Sequence, residues 1–117
     1  MNLEQVAARL GLQTTTADLA EQGHAEITRA HASDLLSDVL ANAPAGGVLL
    51  TIQVHLNVIA VAVHAMQAAV IFTSGMVPEE AVRDKAVEEK IPLFTTKEST
   101  FDTAGKLYAL GIRGRYE

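Results

Sequence analysis

The sequence has 117 residues, of which 49% are hydrophobic and none is cysteine, and its formal net charge is −5 at pH 7. This size and apolar content fit a single domain over residues 1–117, and the missing cysteines exclude thiol catalysis, disulfides and cysteine-bound zinc. Because phosphate backbones are bound through clustered Lys and Arg, the acidic balance without such a cluster argues against nucleic acid as a partner.

The N-terminal segment has the signals of a capped helix. Asn2 and Gln5 are spaced as in a capping box, and Gly11 is a typical helix stop. We predict a short strand over residues 12–16 and a turn or short helix over residues 17–23. The apolar positions at helical spacing are Leu3, Val6, Ala7 and Leu10.

From Ala25 onward, strand and helix patterns alternate. The predicted strands are Ala25–Ala32, Val48–Gln53, Ala68–Thr73 and Ile91–Thr95. The predicted helices start at Ser33 as a cap, at Leu56, at Pro78 in the first helical position, and at Ser99 as a cap with Asp102 three residues later. Such alternation predicts an α/β domain with a mostly parallel sheet and right-handed crossovers.

Each predicted helix carries apolar positions that we expect to face the sheet. In the helix that starts at Ser33 they are Leu35, Leu36, Val39 and Leu40. In the helix that starts at Pro78 they are Ala81, Val82, Ala86 and Val87, and in the helix after Ser99 they are Phe101, Ala104, Leu107, Tyr108 and Leu110. The helix from Leu56 to Met66 is apolar on nearly every side. A helix apolar all round needs cover all round, so we expect a second copy of the chain to supply it in a homodimer.

The stretch from Val48 to Met76 contains no Lys, Arg, Asp or Glu. This stretch exceeds the roughly 20 residues of a bilayer span, but Thr51, Gln53 and His55 interrupt it at alternate positions. Buried parallel strands and the helix between them show the same lack of charge. The first residues lack a basic start followed by an apolar run. We therefore expect a cytoplasmic protein that does not associate with membranes.

Motifs for catalysis are missing from the sequence. It contains no phosphate-binding GxxxxGK[ST] loop, no GxGxxG and no GxSxG. The histidines His24, His31, His55 and His64 do not have the spacing of metal ligands. We therefore expect no cofactor, no metal and no enzymatic activity; a small enzyme using His55 and Asp34 is the alternative.

Polar and small residues follow the predicted strands. In open parallel sheets ligands bind beyond the carboxyl ends of the strands, so these positions are the candidate ligand site. The candidates are Asp34, Gln53, His55, Asn57, Thr73, Ser74, Gly75, Thr95 and Thr96, and Ser33 and Lys97 lie at the same predicted strand ends. Capping of helices, closure of turns and structural hydrogen bonds of buried polar groups are the alternative roles for these residues.

The segments SDLLSDVLANAP, VLLTIQVHLNVIAVAV, AAVIFTSGMVPEEAV and IPLFTTKESTFDTAGKLYALGI resemble the DRTGG-domain family. The resemblance implies the fold of the HPr kinase/phosphorylase N-terminal domain, in a module otherwise attached to enzymes such as CBS-domain pyrophosphatases. It implies a regulatory or dimerising role, and it does not imply kinase activity. The chain departs from the family at Glu26–Ala32, where the namesake double glycine is missing.

Together these features lead to one functional hypothesis and one alternative of another class. The first is a non-catalytic regulatory dimer that senses a small molecule, such as a nucleotide or another anionic metabolite, at the strand ends. The alternative is a structural module that docks onto a partner enzyme or signalling protein.

Overall fold

The computed structural model of the chain describes residues 1–116, and its elements follow the predicted alternation. The strands are β1 (Gln13–Thr14), β2 (Ala30–Ala32), β3 (Val48–Thr51), β4 (Ala69–Phe72) and β5 (Leu93–Thr95). The helices are α1 (Leu3–Leu10), α2 (Leu36–Asn42), α3 (Asn57–His64), α4 (Glu80–Glu89) and α5 (Thr100–Ala109), with a 3₁₀ helix at Ala17–His24.

The strands form one sheet in the order β1-β5-β4-β3-β2. Strands β2 to β5 pair in parallel, and β1 joins the edge antiparallel to β5. The predicted α/β fold with a mostly parallel sheet is confirmed. Among residues 1–116, the helices are all too short or too polar to cross a bilayer.

The sheet separates two layers of helices, because successive strand residues point to opposite faces. On one face Leu50 and Ile71 pack in a cluster with residues of α1 and α5. On the other, Leu49, Val70 and Phe72 pack with residues of α2, α3 and α4. All residues of β3 and β4 are buried, which explains why these two segments are continuously apolar.

Two predicted helix caps are confirmed. Asn2 Oδ1 accepts from the Gln5 backbone N–H at 2.9 Å, and Gln5 Oε1 accepts from the Asn2 N–H at 2.9 Å. Ser99 Oγ accepts from the Asp102 N–H at 3.0 Å at the start of α5. Helix α1 ends at Leu10, and Gly11 follows it with a left-handed φ of 65°, as expected for a glycine that caps the C-terminal end of a helix.

Two predicted helix starts are wrong. Helix α2 begins at Leu36, and Ser33 Oγ accepts from the Leu35 N–H at 3.2 Å in the turn before the helix. Helix α4 begins at Glu80, because the chain is still extended at Glu79, so Pro78 lies outside the first helical position. The Ser33 hydroxyl thus stabilises the turn that leads into α2 and does not cap the helix itself.

Strand β2 is shorter than the predicted Ala25–Ala32. The first half of that segment hydrogen-bonds to the N-terminus instead, where the Leu3 N–H donates to Ala25 O at 2.9 Å and the Ile27 N–H donates to Met1 O at 2.8 Å. This pairing is with a distant part of the sequence, which a local pattern cannot reveal.

Several apolar residues predicted to face inward are exposed. They are Leu35, Leu40, Ala81, Phe101 and Tyr108. In α5 the buried positions include Thr103, whose hydroxyl donates to Ser99 O at 2.8 Å and so needs no water. This local hydrogen bond allows a polar residue to face the core, and Phe101 on another side of the helix is 84% exposed.

Helix α3 buries only one side. Val58, Ile59 and Ala62 are buried against the sheet, while Val63 and Met66 are exposed at its C-terminal end. The expectation that this helix is covered all round is therefore not met within the chain. Cover from a second copy stays a prediction.

Candidate functional site

The parallel pairing brings the ends of β2, β3, β4 and β5 to one edge of the sheet, here called the carboxyl edge. The register aligns Ala32 with Leu50, Thr51 with Phe72, and Phe72 with Thr95. The candidate residues lie at these strand ends or in the segments that follow them. The antiparallel β1 begins at the same edge, because Gln13 pairs with Thr95.

A concavity of about 480 Å³ opens at the β4–β5 part of the carboxyl edge. Its size falls within the range of roughly 300–1,000 Å³ that is usual for small-molecule sites. The residues lining it are Leu10, Gly11, Gln13, Gly75, Val77, Thr95, Thr96, Lys97 and Glu98. Of the residues predicted from the sequence, Gly75, Thr95 and Thr96 belong to this set.

The turn after β4 forms one wall of this concavity. Ser74 and Gly75 both have left-handed φ values, 59° and 75°. The Ser74 N–H donates to Glu98 O at 2.7 Å, and the Gly75 N–H donates to Thr96 O at 3.0 Å. These bonds fix the turn against the loop that follows β5. This wall of the concavity is therefore formed by the chain alone, before any ligand binds.

The charged groups lining the concavity are Lys97 and Glu98. Lys106 Nζ lies 2.5 and 2.6 Å from the two carboxylate oxygens of Glu98, so this carboxylate is neutralised by its own ion pair. Lys97 is exposed and has no hydrogen-bond or ion-pair partner within residues 1–116. The concavity therefore carries one uncompensated positive charge in a protein whose net charge is −5.

At the β2–β3 part of the edge, Asp34 has a structural role. Its Oδ1 accepts from Thr51 Oγ1 at 2.9 Å and from the Ile52 N–H at 2.8 Å. Both bonds connect the loop after β2 to the end of β3. One oxygen of the Asp34 carboxylate thus connects the two strand ends, and a role of Asp34 in ligand binding stays a prediction.

The polar residues after β3 are exposed. His55 Nδ1 accepts from the Asn57 N–H at 3.1 Å in the turn that leads into α3. Gln53, His55 and Asn57 do not line the concavity at β4 and β5. Their role in ligand binding stays a prediction.

Thr73 and Ser74 differ in environment although they are neighbours. Thr73 is fully buried, and its Oγ1 lies 2.6 Å from Thr100 Oγ1 of α5. Ser74 is exposed in the turn. Neither residue is among those lining the concavity, and both support it through the turn that they form.

A separate polar cluster lies between β2 and α2. His31 Nε2 is 2.8 Å from Asp38 Oδ2, and Asn42 Nδ2 donates to Asp38 Oδ1 at 2.7 Å. Side-chain hydrogen bonds lower the pKa of Asp38 to about 2, with that of Asn42 having the largest effect, followed by those of His31 and Ser33. The arrangement is a hydrogen-bond network: within residues 1–116, no group of three or more His, Asp or Glu side chains is placed to hold a metal.

The sequence prediction missed part of the concavity. Gln13 and Leu10 reach it only because β1 lies antiparallel beside β5, and a strand of two residues gives no reliable pattern. Lys97 was recognised from the sequence as following the predicted strand end at Thr95 and Thr96, and the structure places it in the lining of the concavity.

A second concavity, of about 560 Å³, lies between α1, the 3₁₀ helix and β5. Among the described residues lining it, Glu4 is the only ionisable one, and the others are apolar, small or threonine. It lies away from the strand ends and has no cation. The first concavity is therefore the better candidate for a ligand of the predicted anionic type.

Comparison with known proteins identifies the family of this fold. The family model described as the DRTGG domain matches residues 11–110. Among curated proteins there is no match. A solved structure that is similar is the crystal structure of the CBS and DRTGG domains of the regulatory region of Clostridium perfringens pyrophosphatase, complexed with the activator diadenosine tetraphosphate.

This likeness to the pyrophosphatase region is one of fold. The two chains share 13% sequence identity with a TM-score of 0.74, and the match covers 91% of the present chain. It covers 45% of the pyrophosphatase chain, so the present chain spans less than half of that structure.

Proposed function

Since this chain belongs to the DRTGG-domain family, we propose that it is a non-catalytic regulatory module of the cytoplasm. It binds a nucleotide or another anionic metabolite at the carboxyl edge of its sheet, and it acts as a homodimer. The concavity at the ends of β4 and β5 carries this proposal, because it combines a suitable volume with an unpaired cation at the edge where parallel sheets bind ligands.

The similar pyrophosphatase structure supports the class of ligand. That regulatory region is complexed with an activator, diadenosine tetraphosphate, which is a nucleotide with several negative charges. Lys97 in the present chain suits an anion of this kind. The proposal for this chain extends to the class of ligand and not to that particular molecule.

Thermal unfolding tests ligand binding. A compound that binds only the folded state stabilises it by about 2.7 kcal/mol at a concentration 100 times its Kd, so Tm rises with concentration and saturates. The panel contains AMP, ATP, diadenosine tetraphosphate and citrate, each matched by sodium chloride at equal ionic strength. The proposal is wrong if none of these compounds raises Tm beyond the salt control.

The homodimer is supported by the outer side of α3. Leu56, Val63 and Met66 are exposed there, and α3 contains no Lys, Arg, Asp or Glu. An exposed apolar surface without Lys or Glu is typical of a subunit interface. A second copy of the same surface is complementary to it in character, because both are apolar and uncharged.

Light scattering at micromolar concentration tests the dimer, for which twice the chain mass is expected. Val63→Glu should give the monomer mass with unchanged far-UV circular dichroism. Phe101→Glu is the matched control, because Phe101 is exposed on α5 at the opposite face of the sheet. A monomer mass for the unaltered chain, or an equal effect of both variants, would exclude the α3 interface.

A structural docking module is the alternative function. One observation favours it: in the pyrophosphatase structure, the similar region is part of a longer chain that also contains CBS domains. In that case the exposed side of α3 contacts a partner enzyme, and the thermal-unfolding panel gives no shift. A monomer that gains mass only with a partner enzyme distinguishes this alternative from the homodimer.

A further inference from the structure

The geometry points to a phosphate ester as the ligand of the concavity at β4 and β5, with Lys97 as the residue that contacts the phosphate. This inference rests on the proposed function and narrows it to one ligand class and one anchoring side chain. Lys97 was already recognised from the sequence as a residue at a strand end, whereas Gln13 was not.

The hydrogen-bonding groups around Lys97 favour an acceptor-rich ligand. Thr96 Oγ1 already accepts from the Glu98 N–H at 3.2 Å, so its hydroxyl hydrogen is available to donate. The half-buried Thr95 hydroxyl and the exposed Gln13 amide have no side-chain partner within the described part of the chain. The two hydroxyls, the Gln13 amide and the Lys97 ammonium can all donate here, and a phosphate group, which only accepts when fully ionised, suits them.

The volume of the concavity argues for more than an inorganic ion. About 480 Å³ is within the range for small organic ligands, and Leu10 and Val77 give the concavity apolar surface. Val77 is 65% exposed in the segment before α4, where a ligand would cover it. A phosphate joined to a neutral organic group uses both the cation and this apolar surface.

The ion pair between Glu98 and Lys106 determines the sign of the local charge. While Lys106 neutralises Glu98, an approaching phosphate meets a net positive surface. Without Lys106, the Glu98 carboxylate would repel the phosphate from beside Lys97. Lys106 is thus a positioning residue for binding, which acts through Glu98.

The test is an NMR titration of backbone amides with AMP, with inorganic phosphate, and with adenosine as the uncharged counterpart. AMP should shift the amides of residues 95–98 and of Gly75, and adenosine should bind at least about tenfold more weakly. Lys97→Gln should weaken AMP binding about tenfold, because a hydrogen bond to a charged group is lost. Lys106→Gln should weaken it by a smaller factor, and Glu98→Gln should strengthen it.

Lys90→Gln is the matched control. Lys90 is also exposed and without a partner in residues 1–116, but it precedes β5 and so lies at the opposite edge of the sheet. Its substitution should leave AMP affinity unchanged. Equal affinity of Lys97→Gln and the unaltered protein, equal binding of adenosine and AMP, or AMP shifts confined to other residues would each overturn the inference.

Failure of this inference can be separated from failure of the proposed function. If AMP and phosphate shift no amides while citrate raises Tm in a saturable way, the ligand is an anion without phosphate. The regulatory proposal then stands and the phosphate assignment is wrong. If no anion binds at all, both are wrong.

Discussion

The two halves of the carboxyl edge carry similar polar residues but use them differently. Beyond β2 and β3, Asp34 and His55 accept hydrogen bonds from neighbouring backbone or hydroxyl groups. Beyond β5, Lys97 has no partner among the described residues, and a concavity lies beside it. Lys97 is therefore a stronger ligand candidate than Asp34 or His55, because its donors are unused and it lines a space.

The difference follows from the neighbours of each half. The loop after β2 is bonded directly to the end of β3 through Asp34, which closes the gap between them. At the other side, β5 is flanked by the antiparallel β1, which enters from Gly11. The reversal of direction leaves space between the end of α1 and the turns after β4 and β5.

The largest expected effect is the loss of stability when Asp34, in the β2–β3 half of the carboxyl edge, is replaced. Asp34→Ala should lower the free energy of unfolding by about 1–2 kcal/mol, because it removes both hydrogen bonds and leaves the buried Thr51 hydroxyl without its acceptor. Urea unfolding measures it. Glu21→Ala, at an exposed residue without a partner in the described chain, should stay within about 0.5 kcal/mol. An equally small effect at Asp34 would mean that its carboxylate is free for a ligand.

The next effect concerns the turn that forms the concavity. Gly75→Ala should cost about 1 kcal/mol of unfolding free energy, because φ of 75° is strained for alanine. Apart from Gly75 itself and its two neighbours in the chain, no described residue has an atom within 4 Å of the added methyl group, so the cost is conformational. Gly105→Ala in α5 should instead stabilise the protein by about 0.5–1 kcal/mol, since the helix interior favours alanine. One series of urea denaturation experiments on the two variants measures both changes in unfolding free energy, which should be opposite in sign.

The pH dependence of stability tests whether the polar groups near β2 are hydrogen-bonded to one another. The pKa of Asp38 is about 2 in the folded protein, below its ordinary value of 3.8. The ionised Asp38 carboxylate therefore stabilises the folded protein fully above the pKa of the unfolded chain, near 4, and this stabilisation is lost as the pH falls toward 2. Asn42→Ala should raise the pKa of Asp38 and flatten the stability profile in that window. A carboxyl-detected NMR titration measures the pKa, and an unchanged value would contradict the hydrogen-bond cause.

The smallest expected effect is on ligand response at β3. His55→Ala should leave the AMP-induced rise in Tm unchanged, because His55 lies outside the concavity and its Nδ1 is occupied by the Asn57 N–H. Gln53→Ala should behave in the same way. Loss of the ligand response in either variant would extend the site to the β3 half, as the sequence predicted.

Much of the fold was predictable from local patterns. The central strands were found because residues buried on both faces of a sheet must all be apolar, as in Val48–Thr51. The caps at Asn2 and Ser99 were found because capping depends on residues close in sequence. Inward faces were predicted less well, since a buried Thr103 and an exposed Phe101 reverse the usual preference.

The sequence by itself determined the family, the order of strands and helices, and the edge of the sheet at which polar residues collect. Only the tertiary structure decided which part of that edge encloses a space and which polar groups remain unpaired. The physical reason is that hydrogen-bond partners such as Asp34 and Thr51, and neighbours such as Gln13 and Thr95, are distant along the chain. Their pairing depends on how the whole chain packs, so no local pattern encodes it.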